Sequence, residues 1–249
     1  MGAHAWGAFR KLPEYDREMS PDDRTMLEHA HRFPWFRSIS LRLPLRDHVR
    51  MADHHTHVQD FFTARAAGWD ARFPDDAPAY AAAVEALGLR PGDAVLDAGC
   101  GTGRALPALR DAVGPQGTVL GADLTPAMLQ AAVRAGRDRN GRLLLADVAR
   151  LPLRNASLDA VFGAGLISHL SHPGPDLAEL ARVVRPGGQL ALFHPIGRAA
   201  LAARHGRRIT DDDLRAEPNL RPLLAHSGWQ LDSYTDEDAR FLALAVRAD

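Results

Sequence analysis

Between residues 94 and 195, short apolar runs alternate with stretches of helical period. "AVLDAG" (94–99), "TVLGADL" (118–124), "RLLLADVA" (142–149), "LDAVFGAG" (158–165) and "QLALFHP" (189–195) each read as a strand. These runs are nearly continuous in apolar character, the pattern of strands covered on both faces. "RALPALRDAV" (104–113), "TPAMLQAAVRAG" (125–136) and "DLAELARVV" (176–184) read as helices between them, with Thr125 as a cap and Pro126 at the first helical position. A further helix, "PAYAAAVEALGL" (78–89), precedes the first strand and stops at the turn "RPGD". Strands alternating with helices of this length close into a parallel sheet with helices on both faces.

The C-terminal end departs from that rhythm. "DDDLRAEPNLRPLLAHSGW" (211–229) reads as a helix, but "QLDSYT" (230–235) and "ARFLALAVR" (239–247) flank only "DED", the spacing of a tight hairpin. The expected fold class is therefore α/β, a doubly wound, seven-stranded, mostly parallel sheet with an antiparallel last strand. Residues 1–60 read as an N-terminal helical extension or lid on a domain at 61–249. In that extension Ser20 and Pro21 mark one helix start, and "ADHHTHVQDFFTARAAGW" (52–69) reads as a second helix.

The loop after the first strand, "VLDAGCGTG" (95–103), places three glycines in five positions between strand and helix. There glycine permits backbone angles other residues resist and lets a ligand approach the main chain. Asp123 ends the second strand, 20 positions beyond Gly103, the place from which a carboxylate can accept from a ribose diol. Asp147 ends the third strand, where it can accept from an exocyclic amine of adenine. Asp97, just before the glycines, would repel a pyrophosphate; it suits a ligand with positive charge, such as a sulfonium or an α-amino group. That residue turns the reading from a dinucleotide towards S-adenosylmethionine.

With these residues in place, residues 90–195 resemble a class I S-adenosylmethionine-dependent methyltransferase, of the small-molecule type that includes the quinone C-methyltransferases. "VLDAGCGTG" is similar to the family's first motif and "GADLTPAML" to its second-strand motif. "LLLADVARLPLRNASLDAVFGAG" is similar to the adenine and fourth-strand motif, and "LARVVRPGGQLAL" to the segment before the fifth strand. The resemblance implies S-adenosyl-L-methionine as cofactor and S-adenosyl-L-homocysteine as product. It implies that Gly99, Cys100 and Gly101 approach the methionine part, with Asp97 beside it. Asp123 would take the ribose hydroxyls with Leu124 against the adenine, Asp147 and the Val148 amide the adenine edge, and Gly163 and Ala164 the amino-acid end.

An acceptor should meet the ends of the fourth and fifth strands, "GAGLISHLSHPG" and "LFHPIGR", because ligands in open parallel sheets sit beyond the carboxyl ends of the strands. His169 is the first candidate general base, His194 the second and His172 the third, since histidine titrates near neutral pH. Phe61, Phe62, Trp69, Phe73 and Asp70 stand near the domain entrance. "DHHTH", with His54, His55 and His57, reads as a solvated helix face rather than a metal cluster, so no metal is expected.

Composition narrows the partners. The net charge is −1 over 249 residues, which advertises neither nucleic acid nor an anionic membrane. Almost all positive charge is arginine, and the single cysteine, Cys100, excludes an internal disulfide. No apolar run is long enough for a membrane span, so a cytoplasmic protein acting on a small molecule is expected, with a homodimer left open. Three other classes compete: the same fold using a bound sulfonium for cyclisation or rearrangement, a non-catalytic binding partner, and a nicotinamide oxidoreductase, which Asp97 disfavours.

Overall fold

The computed structural model describes residues 56–72 and 75–249, all within the unit Leu43–Asp249. The expected helix at Ser20, the start of the second helix with His54 and His55, and Phe73 lie outside the described residues. A helical segment at 56–63 is followed by single turns at Ala66–Gly68 and Asp70–Arg72. Then come α1 (Ala77–Leu87), β1 (Ala94–Ala98), α2 (Leu106–Val113), β2 (Thr118–Asp123), α3 (Pro126–Arg134), β3 (Arg142–Leu145) and β4 (Leu158–Ala164). The chain continues through α4 (Pro173–Val183), β5 (Val184–His194), α5 (Arg198–Arg204), α6 (Glu217–His226), β6 (Trp229–Glu237) and β7 (Arg240–Arg247).

The strands form one seven-stranded sheet in the order β3-β2-β1-β4-β5-β7-β6. β1 to β5 pair in parallel, and β7 runs antiparallel to both β5 and β6. The order reverses between β1 and β4, so a crevice opens there beyond the carboxyl ends of the strands. The five parallel strands end at that edge in Ala98, Asp123, Leu145, Ala164 and His194. Thus the fold class and the closing hairpin match the sequence expectation.

Alternate residues of each central strand feed opposite faces of the sheet. Val95, Phe162 and Phe193 pack with Val84 and Leu87 of α1 and with Leu106 and Leu109 of α2. Leu96, Val161 and Leu192 pack on the other face with Leu177 and Leu180 of α4 and with Leu220 and Leu224 of α6. Trp229 closes that face fully buried, its indole N–H donating to the Leu177 carbonyl at 2.9 Å, which satisfies the one polar atom that burial would otherwise leave unmet.

Several expected boundaries differ. β3 stops at Leu145, so Asp147 lies in the loop beyond the strand instead of ending it. The "RPGG" turn lies inside β5, as a bulge that opposes residues 184–189 to only 158–160 of β4; Gly187 supplies the positive φ, +73°, that lets the strand resume. Residues 211–216 turn instead of starting a helix. The Asp213 carboxylate accepts from the Arg215 N–H at 2.9 Å, and the Asn219 amide donates to the Asp211 and Asp213 carbonyls, local bonds that replace a helical first turn. Finally, "RAALAAR" forms the short helix α5, unforeseen because it buries no residue and so shows no amphipathic stripe.

Candidate active site

The glycine loop takes its shape from three positive-φ residues, Gly99 (+67°), Gly101 (+54°) and Gly103 (+76°). The Cys100 N–H donates to the Ala122 carbonyl at 2.9 Å, and Gly103 N–H to the Cys100 carbonyl at 2.8 Å, so the loop folds back on β2. A Cβ on Gly101 would meet nothing within 4 Å, so its bare side faces open space, whereas one on Gly103 would stand 2.9 Å from Leu106 Cδ1. Gly101 is therefore free for a ligand's approach, and Gly103 is required by packing.

Asp123 ties this loop to the end of β2. Its two oxygens accept from the Gly101 N–H at 2.8 Å and the Thr125 N–H at 2.7 Å, and the Thr125 side chain donates to the same carboxylate. Burial raises its pKa, and the Thr125 and Gly101 N–H groups oppose the rise. Asp97 is different. It is buried at the end of β1, and among the described residues no hydrogen bond reaches its carboxylate. Burial, with the charge of Asp123 adding to it, pushes its pKa up to about 8. Such a carboxyl ionises readily only when a cation arrives beside it. Burial also pushes the Cys100 thiol up, which makes it a packing group rather than a nucleophile.

A single cleft of about 1240 Å³ runs from these residues to the domain mouth. That exceeds the roughly 300–1,000 Å³ of a site for one drug-sized ligand, leaving room for a cofactor and an acceptor together. Its inner half is lined by Asp97, Gly99, Cys100, Gly101, Asp123, Leu124, Asp147, Val148 and Ala164, nine of the ten expected cofactor residues. Gly163 does not line it; a Cβ there would lie 2.9 Å from Leu166 Cδ2, so its role is to seat the turn that follows β4. The Asp147 carboxylate accepts from the Ala149 N–H at 2.9 Å, fixing the bend after β3.

The outer half holds two of the three candidate histidines, together with His205. His169 ends the single turn Leu166–His169, its ring edge-on to Phe62 with centroids 5.0 Å apart. His194 ends β5; its Nδ1 lies 2.8 Å from the Ile196 carbonyl and 3.1 Å from the Ile196 N–H. Burial lowers its pKa, with the Ile196 bond pulling the other way, so His194 is neutral at pH 7. His172 caps α4 and does not line the cleft. Phe61, Phe62 and Trp69 line it, and Asp70 holds this segment to the glycine loop, accepting from Thr102 Oγ1 at 2.6 Å and from Arg137 at 2.6 Å.

Sequence reasoning missed Gln59, whose amide donates to the Leu124 carbonyl at 2.8 Å, and Arg137, which also reaches the Thr102 carbonyl at 2.8 Å. It also missed Tyr80, packed on Phe193 and lining the cleft beside the Arg104–Asp76 ion pair. Nothing in their spacing marks these residues, because only tertiary packing brings them to the loop. Among the described residues no group of three or more His, Cys, Asp or Glu side chains could hold a metal, and no helix is long and apolar enough to cross a membrane.

A family model described as a methyltransferase domain matches residues 95–188, the stretch from β1 into the β5 bulge that carries the glycine loop, Asp97, Asp123 and Asp147. Residues 95–188 thus carry a methyltransferase domain. Relatives agree. The ubiquinone/menaquinone biosynthesis C-methyltransferase UbiE of Ectopseudomonas mendocina is 28% identical over 194 residues, 65% of this chain and 74% of that protein. An uncharacterized 37.1 kDa protein in transposon TN4556 of Streptomyces fradiae is 38% identical over 113 residues, 45% of this chain, and the match spans only 33% of that protein. Among solved structures, a SAM-dependent methyltransferase from Aquifex aeolicus is 25% identical with a TM-score of 0.55, covering 66% of this chain and 87% of that one. The residues present fit the methyltransferase cofactor: the buried Asp97 carboxyl, with no donor among the described residues, suits its cationic end, Gly101 leaves space for it, and the Asp123 carboxylate lines the cleft where a ribose would lie.

Proposed function

We propose that this methyltransferase transfers a methyl group from S-adenosylmethionine to a small organic acceptor, at oxygen, carbon or nitrogen, in biosynthetic metabolism. The observation that carries the reading is the single continuous cleft, acidic and glycine-lined at its inner end and aromatic, with His169, His194 and His205, at its outer end. When bound, S-adenosylmethionine supplies an electrophilic methyl on a sulfonium. Asp97 then ionises beside the cationic end, Asp123 accepts from the ribose hydroxyls, and Asp147 with the Val148 amide grips the adenine edge. The Phe61–Trp69 stretch excludes water from the outer half and positions the acceptor for in-line attack. In this role the N-terminal segment acts as a lid, anchored by Asp70 and Gln59.

Of the two candidate histidines, His194 is the better placed to take a proton from the acceptor. With Nδ1–H donating to the Ile196 carbonyl, its Nε2 carries the lone pair, and burial keeps it neutral at pH 7. The test is to incubate the protein with S-adenosylmethionine and a library of small phenols, enols and amines. S-adenosylhomocysteine formed one for one with a methylated product supports the reading; product formed without it means the fold performs a different reaction.

A further inference from the structure

The outer end of the cleft is strongly unbalanced in charge. Arg65, Arg72, Arg204, Arg207 and Arg208, from two segments far apart in sequence, line it, and none has a carboxylate within 4.0 Å among the described residues. The acids nearby are already matched: Asp76 pairs with Arg104 at 3.4 Å, and Asp213 with Arg215 at 3.0 Å and Arg198 at 3.6 Å. Among the described residues that line this end, Asp212 is the acid left to offset the five guanidiniums. The whole chain has a net charge of −1, so this excess is local and not a consequence of composition. Gathering five like charges at one mouth costs free energy in the free protein, a cost that an anionic ligand would offset.

The same cleft is also lined by apolar side chains that include Phe62, Trp69 and Ile209. It thus offers a cation site, apolar surface and an anion site together. We infer that the acceptor is an amphipathic small molecule with an apolar or aromatic body and a phosphate or diphosphate group, held by Arg204, Arg207 and Arg208 with Arg72. This rests on the proposed methyl transfer and adds the acceptor's class. A monocarboxylate is satisfied by a single guanidinium fork, whereas a multiply charged phosphoryl group accepts from several. Arg204, Arg207 and Arg208 are exposed, so the attraction should be screened by salt.

Titration of inorganic pyrophosphate into the full chain, with acetate as the monoanionic comparison, tests this, each run with and without saturating S-adenosylhomocysteine. The expected result is pyrophosphate binding that far exceeds acetate, weakens with added salt, and falls by about tenfold or more in the Arg207→Gln/Arg208→Gln double variant. S-adenosylhomocysteine affinity measured on the same variant reports whether it is folded, and a Lys pair at these positions should recover part of the binding. Equal affinities for pyrophosphate and acetate, or an unaffected double variant, would overturn the inference. So would a single-stranded RNA oligonucleotide that displaces pyrophosphate at far lower concentration, because the mouth would then serve a polymer. Failure of wild-type protein to bind S-adenosylhomocysteine, with pyrophosphate still bound, would sink the methyl-transfer reading instead and leave an anion site of another enzyme.

Discussion

Replacing Asp97 by Asn should make the free protein more stable at neutral and mildly alkaline pH while weakening its hold on the cofactor. Asp97 is buried at the end of β1, and its pKa is raised from 3.8 to about 8, chiefly by burial. The folded protein therefore keeps a proton that the unfolded chain releases above about pH 4. Between the two values the unfolded state binds fewer protons, so stability falls as pH rises, and it levels off above about pH 8. A pKa raised by one unit corresponds to about 1.4 kcal/mol, so the total penalty for ionising Asp97 is on the order of 5 kcal/mol. The Asn side chain keeps the shape without the titration. Urea unfolding of both proteins from pH 6 to 9 should show the variant's advantage growing by about 1.4 kcal/mol per pH unit up to about pH 8, then holding constant. The same variant should bind S-adenosylhomocysteine at least about tenfold more weakly, having lost a charge-assisted partner for its ammonium. Wild-type binding at pH 7 should release a proton, measurable as a dependence of the calorimetric heat on buffer ionisation enthalpy. Parallel stability profiles would refute the reasoning, for they would mean that Asp97 is not held protonated by its burial.

Asp123→Ala should lower S-adenosylhomocysteine affinity by an order of magnitude or more, because it removes both a ribose acceptor and the 2.8 Å bond that shapes Gly101; unchanged affinity in a calorimetric titration would remove the ribose assignment. His194→Ala should cut turnover sharply and His169→Ala less so, each with cofactor affinity retained. Wild-type turnover should stay flat through neutral pH and fall only below the ordinary histidine pKa, since burial lowers that of His194 and protonation removes its lone pair. Gly103→Ala should destabilise by about 1–3 kcal/mol in thermal unfolding, because it forces a side chain into φ +76° and against Leu106.

Much of the sheet was legible because β1, β2 and β4 are buried on both faces and so read as unbroken apolar runs, each closed by a turn or a cap. The inner half of the site was legible for a related reason. Asp97 and Asp123 close two of those runs and Asp147 follows β3, and parallel strands deliver their ends to one edge. What stayed hidden depends on contacts with no periodic trace. The "RPGG" stretch has the composition of a turn, yet β4 holds it in the sheet as a bulge. α5 buries nothing, so no stripe marks it. In the outer half, Tyr80, Arg137 and the arginines at 204–208 gather around the cleft only through tertiary packing, which is why the histidines could be named as candidates and their surroundings could not. Gly163 shows the converse: its place at a strand end suggested a ligand contact, but Leu166 occupies the space beside it.

The most direct test of the central claim is calorimetric titration of the purified protein with S-adenosylhomocysteine, with NAD as the comparison. Both ligands carry an adenosine, but only the first brings a positive charge to Asp97, while NAD would bring a pyrophosphate to it. Micromolar binding of S-adenosylhomocysteine and none of NAD is the predicted result. Binding of NAD in its place would contradict the account, because a glycine loop with a buried carboxyl at its root would then be accepting a pyrophosphate.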